Sequence, residues 1–391
     1  MNAGHSKPIN AKLGVVGHVP HWRGPDGKLW AYEPYVRELR VWADLFREVE
    51  ICSPPGEGEM RGNQSPYQRE NIRYRLVPYT LALGKTAKLR RLFQFPAMAL
   101  AVIRTVLGSD LVLLRSPGHF ALAGTVAVRM TGKRSITKWA GPNGPFGSER
   151  LPDKVERFLQ EFPSDRHPVL VYGPPRRPHQ ISFLPALMSD GELEDSRLLS
   201  GARVWSLPWR IMSVGRLVYD KDFDVAIRGL GDLLRRRPDL QWQYTLIGDG
   251  PMRPTLEALA QSEGISGRMI FAGARPFSEV RREYAQSHIV IMPGTNEGWP
   301  KVIAEAWAHG AFPLAPRVGL IPSIITDDSS GLLYDGTPRD LSLALENILS
   351  SDATMKAASS KLFMRAKDIS LDRFRERLVE VLESRFRLQG G

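Results

Sequence analysis

Two glutamates, Glu297 and Glu305, are spaced so that their carboxylates could bind one ligand. An apolar run before them (288–292) predicts a buried strand, and Pro300 and Gly310 predict where the next helix begins and ends. Because a helix rises about 1.5 Å per residue, both carboxylates can line one cleft near the helix N-terminus, whose N–H groups suit a phosphate. This spacing fits a ligand with hydroxyls and phosphate, and it also fits an ordinary surface helix.

A second pair of charged residues, Arg216 and Lys221, follows a predicted strand at 211–214. Arginine offers a planar fork of donors and lysine a point charge, a combination that suits a diphosphate whose charge grows as a bond breaks. The alternative is an ordinary pair of solvated surface cations. Asp222-Phe223-Asp224 imitates a metal-binding motif, but its position at a helix start favours an N-cap.

Four segments in the second half of the chain resemble, in order, the motifs of the retaining GT-B glycosyltransferases of family four, the glycosyl transferases group 1. They are residues 213–221, 246–251, 296–310 and 331–334. The resemblance implies an α/β GT-B architecture, in which two Rossmann-like, doubly wound parallel-sheet domains face a central cleft. It also implies a hexosyltransferase that moves a sugar from a nucleoside-diphosphate sugar to an acceptor hydroxyl, in polysaccharide or glycolipid biosynthesis.

The resemblance assigns roles to residues of the second half. Arg216 and Lys221 match the phosphate-binding pair, Glu297 the carboxylate that orients the transferred sugar, and Glu305 the one that binds the ribose. Further donor contacts are implied at Gly298 beside Glu297 and, for the base, at Ala274 and Arg275. No residue is an evident covalent nucleophile, so the resemblance implies front-face attack, with the departing diphosphate helping to deprotonate the acceptor.

In the first half the match is weaker. His119 follows a predicted strand (111–114), where some relatives have an active-site histidine; a structural role is equally open, and Arg115 is a lesser candidate. Gly27 is the candidate for a donor-phosphate contact, although the usual Gly-Gly pair is missing from the first loop. The alternative for that loop is an acceptor pocket formed by His18, His21 and Trp22. For Trp139, packing in the core is favoured over stacking on an acceptor sugar.

A further departure from the family lies at Leu320 and Ser323, where it usually has glycine and glutamate. Donor contacts from this loop are therefore not expected. The resemblance implies no catalytic metal and no cofactor beyond the donor substrate.

Composition bounds the remaining possibilities. A chain of 391 residues with 42% hydrophobic and 24% charged residues indicates two soluble globular domains. The single cysteine, Cys52, excludes internal disulfides and predicts a packed thiol in a reducing, cytoplasmic setting. A net charge of +11 suits phosphate-bearing partners, and no recognised nucleic-acid motif accompanies it, so nucleic acid is not expected as a partner.

Apolar runs that alternate with helical patterns divide the chain in two. The first domain, with an acceptor-binding role, is predicted at 1–190, and the nucleotide-sugar-binding domain at 208–370. A linker is predicted at roughly 185–208 and a final helix at 371–391 that crosses back to the first domain, the crossing being implied by the resemblance.

Residues 85–93 carry four basic residues among apolar ones, which fits peripheral contact with an anionic membrane and a lipid-linked acceptor. A solvated helix and a soluble sugar acceptor are the alternatives. Two other classes of function also remain open: a nucleotide-sugar epimerase of the same fold, and a non-catalytic binder of nucleotide sugar or nucleic acid.

Overall fold

The structure, a computed structural model, describes residues 7–60, 64–82, 84–141, 151–162, 164–183, 186, 188–295, 299–350 and 353–388. The chain divides into two compact units. Unit 1 comprises Met1–Ala186 and Phe374–Gly391, and unit 2 comprises Leu187–Arg373.

Unit 1 is built on a seven-stranded sheet in the order β10-β9-β8-β7-β1-β4-β6, and every neighbouring pair is parallel. The continuous apolar runs of its central strands are what a sheet covered on both faces requires. The strands are β1 Ile9–Val16, β4 Phe46–Ser53, β6 Ile72–Leu76, β7 Leu111–Ser116, β8 Arg134–Trp139, β9 Val169–Val171 and β10 Gln180–Ser182. A small antiparallel sheet adds β2 Trp22–Arg23, β3 Leu29–Tyr32 and β5 Gln64–Pro66.

Four helices accompany this sheet: α1 Glu33–Leu45, α2 Lys85–Leu107, α3 His119–Thr131 and α4 Leu151–Gln160. The core beneath α2 and α3 joins apolar side chains of both helices with those of β1, β4 and β7, and it includes the fully buried Cys52. Burial raises the pKa of this thiol to about 11, so the predicted packed cysteine is confirmed.

Unit 2 contains a six-stranded, fully parallel sheet in the order β13-β12-β11-β14-β15-β16. Its strands are β11 Trp209–Val214, β12 Trp242–Ile247, β13 Met269–Gly273, β14 Ile289–Ile291, β15 Phe312–Pro316 and β16 Leu332–Tyr334. Its helices are α5 Asp190–Ser200, α6 Phe223–Arg236, α7 Arg253–Ser262, α8 Phe277–Gln286, α9 Lys301–Ala308, α10 Ile321–Ile324, α11 Pro338–Ser350 and α12 Ala353–Lys367. The predicted α/β class with two doubly wound parallel sheets is confirmed.

The last helix, α13 Leu371–Phe386, begins in unit 2 and runs into unit 1. Within unit 1, Phe374 meets Phe183 edge to face at 5.0 Å between ring centroids, and Arg134 donates to the carbonyl of Phe386.

One expected feature is wrong. Residues 190–200, predicted to be part of a linker, form α5, which begins in a complete capping box. The Ser189 side chain accepts from the backbone of Glu192, and the Glu192 side chain accepts from the backbone of Ser189. The Ser-x-x-Glu spacing in the sequence carries this signal.

Candidate functional site

The strand order of unit 2 reverses between β11 and β14. From β11 the chain moves outward to β12 and β13, and it then returns to place β14 on the other side of β11. In open parallel sheets, ligands bind at the carboxyl ends of the strands that flank such a switch point. The loop with Arg216 and Lys221 follows β11, and the loop that leads to Glu297 follows β14.

The loop after β11 is held against the loop after β12. Gly215 donates to the carbonyl of Ile247, and Leu217 donates to that of Asp249. A Cβ on Gly248 would lie 1.8 Å from the Gly215 carbonyl oxygen, so only glycine permits this approach. Arg216 is exposed at the outside of this fixed loop, and Lys221 ends a single 3₁₀ turn just before α6.

Asp222 connects the two loops at the switch point. It occupies the N-cap position of α6, as predicted, but its side chain caps no N–H of that helix. Its carboxylate instead accepts from the backbone N–H of Thr295 at 2.9 Å and from the Thr295 hydroxyl at 2.7 Å. Asp222 therefore fixes the start of the Glu297 loop relative to the loop with Arg216 and Lys221.

Glu305 lies on the second turn of α9, which begins at Lys301 with Pro300 at the N-cap position rather than as the first helical residue. It is half-buried, and its Oε2 accepts from the hydroxyl of Tyr284 at 2.8 Å. Burial raises the pKa of Glu305, while the Tyr284 hydrogen bond and the charge of Lys301 lower it. The sheltered, oriented carboxylate has acceptor capacity left for ligand hydroxyls.

Behind Glu305, a buried arginine joins two helix ends. The Arg203 guanidinium donates to the carbonyls of Tyr284 and Ala285 at the end of α8 and to those of His309 and Gly310 after α9. The rings of Tyr284 and His309 also stack, with centroids 5.3 Å apart. Burial lowers the pKa of Arg203 to about 10. This arrangement fixes Tyr284 relative to α9 and therefore relative to Glu305.

The other predicted donor residues of unit 2 fall into two groups. Ala274 and Arg275 are exposed in the loop between β13 and α8, where Arg275 donates to the Ala272 carbonyl at 2.9 Å. Glu297 and Gly298 lie outside the described residues. Their predicted contacts with the donor stay predictions.

Unit 1 has its own switch point, between β1 and β7. His119 is half-buried and is the first residue of α3, not a loop residue, and its ring meets that of Tyr79 at 5.7 Å. His18, in the loop after β1, lies against Gly118, since a Cβ there would be 2.6 Å from the His18 Nδ1. The structure thus brings His18 and His119 to one edge of the sheet.

Glu156 of α4 holds the segment that precedes His119. Its carboxylate accepts from the Ser116 hydroxyl and, at 2.8 Å, from the N–H of Gly118. Burial has the larger effect on the pKa of Glu156 and raises it to about 7, whereas the hydrogen bonds from Ser116 and Gly118 lower it. No local motif points to this carboxyl group, which stands 40 residues from Ser116.

Several candidates of unit 1 are engaged in packing. Arg115 pairs with buried Glu38 at 2.8 Å and stacks over Tyr35, so its guanidinium serves the core. His21, expected in an acceptor pocket, is buried: it contacts the hydroxyls of Tyr67 and Ser53, and burial lowers its pKa to about 4. That expectation is wrong for His21.

Three further candidates of unit 1 are placed as follows. The half-buried Trp22 donates to the Gly58 carbonyl, and Trp139 is packed, as predicted. Gly27 lies in the exposed turn between β2 and β3, with φ +72°, and its N–H donates to the Gly24 carbonyl. Its approach to a phosphate stays a prediction.

In the described part of the chain, no group of three or more His, Cys, Asp or Glu side chains could hold a metal ion. No helix there combines the length and apolar character that crossing a bilayer requires.

Comparison with known proteins finds a family match in unit 2. Residues 206–361 match the family model described as "Glycosyl transferases group 1". For these residues, the match supports the coarser part of the resemblance, the glycosyl transferases group 1.

Curated relatives are similar over part of the chain. A D-inositol 3-phosphate glycosyltransferase of Corynebacterium kroppenstedtii is 33% identical over 148 residues, which cover 36% of this chain and 33% of that protein. A GDP-mannose-dependent alpha-(1-6)-phosphatidylinositol monomannoside mannosyltransferase of Mycolicibacterium smegmatis is 30% identical over 155 residues, 38% of this chain and 40% of that protein. The chain thus spans less than half the length of these relatives.

Solved structures match over nearly the whole chain. Anabaena HepE in complex with UDP has a TM-score of 0.69 at 14% identity and covers 96% of this chain and 100% of its own. Sucrose-phosphate synthase of Thermosynechococcus elongatus has a TM-score of 0.68 at 14% identity, with 96% and 99% coverage. At such identities the likeness concerns the fold, and the predicted GT-B fold class is confirmed.

Proposed function

We propose that the protein is a retaining group 1 glycosyltransferase of family four, which transfers a hexosyl group from a nucleoside-diphosphate sugar to an acceptor hydroxyl. The observation that carries this proposal is the grouping at the switch point of unit 2. There, Asp222 ties the loop of Arg216 and Lys221 to the start of the Glu297 loop. That grouping lies within the region that matches the group 1 family.

Each donor group meets a side chain of suitable chemistry in this proposal. Arg216 and Lys221 neutralise the diphosphate, whose negative charge increases as the glycosidic bond breaks. Glu305 accepts hydrogen bonds from the ribose hydroxyls, and Tyr284 keeps the carboxylate turned toward them. Glu297 orients the hydroxyls of the transferred sugar, and the loop at Ala274 and Arg275 holds the base.

The acceptor belongs to unit 1 in this proposal, with His119 beside the acceptor hydroxyl. Retention of the anomeric configuration follows from front-face attack, in which a departing diphosphate oxygen takes the proton of that hydroxyl. Relatives named for inositol phosphate and phosphatidylinositol support a glycolipid pathway. HepE, solved with UDP-glucose, supports a nucleotide-sugar donor.

Incubation with a panel of UDP- and GDP-sugars tests the activity. We expect one donor to release nucleoside diphosphate faster when a lipid extract or an oligosaccharide acceptor is added. Proton NMR of the glycosylated product should show the anomeric configuration of the donor. Release of no diphosphate from any donor would overturn the transferase proposal, and an inverted product would overturn retention alone.

A further inference from the structure

Helix α2 carries two apolar stripes, and one of them is exposed in the part of the chain that the structure describes. Met98, Val102 and Val106 pack into the core of unit 1. On another side of the helix, large apolar side chains are exposed along a stripe about 30 Å long: Leu89, Leu92, Phe93, Leu100, Ile103 and Leu107. Phe93 is 76% exposed and Leu92 is 68% exposed. A surface helix ordinarily has polar residues on that side.

Helix α4 buries polar residues and exposes apolar ones, the reverse of an ordinary amphipathic surface helix. Its polar residues Asp153, Glu156 and Gln160 are buried, and Gln160 donates to the Thr125 hydroxyl at 2.8 Å. Its outward residues include Leu151, Val155 and Phe158, three large apolar side chains spaced along one side. An inward polar face fixes this orientation, so the exposed apolar residues cannot be turned inward by a simple rotation of the helix.

Helix α3 lies between α2 and α4, because it packs against both. The carbonyl of Leu159 in α4 accepts from Arg129 of α3, and α3 also exposes Val126 and Met130. We call the exposed apolar side chains of α2, α3 and α4 the docking face. Large exposed apolar side chains on three neighbouring helices are typical of an interaction surface.

The charge of this region identifies the partner. Helix α2 has five Lys and Arg residues and no acidic residue. Four of the basic residues are exposed on α2 itself: Lys85, Lys88, Arg90 and Arg104. Aromatic and aliphatic side chains among cations suit a surface with anionic head groups over hydrocarbon. A second copy of the chain would bring like charges together.

A cavity of about 530 Å³ opens at one end of the docking face. Lys88, Leu92 and Phe95 of α2 line it together with Tyr79 and His119. The cavity therefore joins exposed basic and apolar side chains of α2 to the candidate acceptor residue of α3.

We propose that unit 1 docks through this face on a bilayer that contains anionic lipids. The apolar side chains enter the acyl boundary, and the cations of α2 contact the head groups. Docked in this way, the cavity at His119 opens toward the lipid surface, and an amphiphilic acceptor reaches it without crossing bulk water.

Flotation with vesicles of phosphatidylcholine, with and without phosphatidylglycerol, tests the proposal on the full-length protein. We expect flotation only with phosphatidylglycerol, and release at high salt, where the Debye length falls to about 3 Å. Lys88→Gln with Arg90→Gln should weaken vesicle affinity on the order of 20-fold, since each cation near the lipid contributes about fivefold. Phe93→Ser with Phe158→Ser should remove vesicle binding even at high phosphatidylglycerol content.

The matched control is Leu198→Ser with Met364→Ser, which removes two comparably exposed apolar side chains from unit 2. Circular dichroism and UDP binding by calorimetry check that each variant is folded and that the donor site is intact. Native protein that binds UDP or GDP but floats with no vesicle would overturn membrane docking and leave the proposed transferase untouched. Equal flotation of the Phe93→Ser, Phe158→Ser variant and the control would overturn the assignment to this face. Concentration-dependent self-association of the native protein that Phe93→Ser abolishes would also overturn it.

Discussion

The carboxylate of Asp222 accepts two hydrogen bonds from Thr295, one from its backbone N–H and one from its hydroxyl. The residues are 73 positions apart, and each belongs to a loop that follows one of the two strands at the switch point of unit 2. Because Asp222 has φ +50°, a conformation that costs most residues energy, the tether occupies a strained position. We regard it as the element that keeps the two loops of the proposed donor site in register.

Replacement of Asp222 measures this tether. Asp222→Gly accepts the positive φ but loses both hydrogen bonds, and we expect donor turnover to fall about tenfold with little change in melting temperature. Asp222→Asn retains an acceptor and tolerates the same backbone conformation, so it should remain close to the native protein. Equal activity of the two variants would show that the tether has no functional role.

Tyr284→Phe removes the hydrogen bond to Glu305 and leaves the stacking on His309. That hydrogen bond lowers the pKa of Glu305, so its loss should raise the pKa further. As the pH falls from 8 to 5, Glu305 of the variant should therefore take up its proton at a higher pH than in the native protein. Nucleotide affinity should begin to decline at that higher pH. Tyr334→Phe removes a buried hydroxyl that finds no partner among the described residues, and it serves as the control. Superimposable affinity profiles for all three proteins would contradict the role of Tyr284.

Glu305→Gln should raise the stability of the folded protein near neutral pH and weaken its affinity for nucleotide. Since burial raises the pKa of Glu305 in the folded protein, the stability linked to the proton is present below the unfolded pKa and is lost as pH rises through the folded pKa. The neutral amide avoids this loss, so we expect a higher melting temperature near pH 7.5 and no gain near pH 4. Nucleotide affinity should fall about tenfold, because an amide accepts ribose hydrogen bonds less strongly. Unchanged affinity would remove Glu305 from the site.

The buried carboxyl of Glu156 predicts a pH dependence of stability in unit 1. With a folded pKa of about 7, its contribution is full below the unfolded pKa and is lost as pH rises through about 7, by up to about 3 kcal/mol. Thermal unfolding of Glu156→Gln between pH 5 and 8.5 should therefore show a smaller decline in stability than the native protein. Parallel pH profiles would mean that Glu156 is not protonated in the folded state.

The sequence predicted the sheets well because both are fully parallel. Buried runs such as those of β7 and β14 are continuously apolar and stand out within a residue or two of their ends. Strand β6 is harder to predict because apolar residues alternate with Arg73 and Arg75 at the sheet edge, where Arg75 pairs with Glu50. The linker expectation is wrong at α5 because the capping box of Ser189 and Glu192 starts a helix despite weak hydrophobic periodicity.

For the site, motif resemblance located Arg216, Lys221 and Glu305, which all lie in or beside loops at the switch point. It could not locate the partners that fix them. Tyr284 contacts Glu305 across 21 residues, and Asp222 contacts Thr295 across 73. Such pairings depend on which strands become neighbours in the sheet, and the local sequence does not encode that.

Binding of a nucleoside diphosphate at the edge of β11 and β14 is measured most directly by isothermal titration calorimetry. The ligands are UDP or GDP, whichever stabilises the protein more against heat, and the corresponding nucleoside. We predict that Arg216→Ala and Lys221→Ala each weaken the affinity for the diphosphate about tenfold, because each loses a charge-assisted contact with phosphate. The affinity for the nucleoside should stay unchanged. Arg235→Ala, which removes an exposed cation at the far end of α6, should change neither ligand. No detectable diphosphate binding, or equal losses for the diphosphate and the nucleoside, would contradict the assignment of this site.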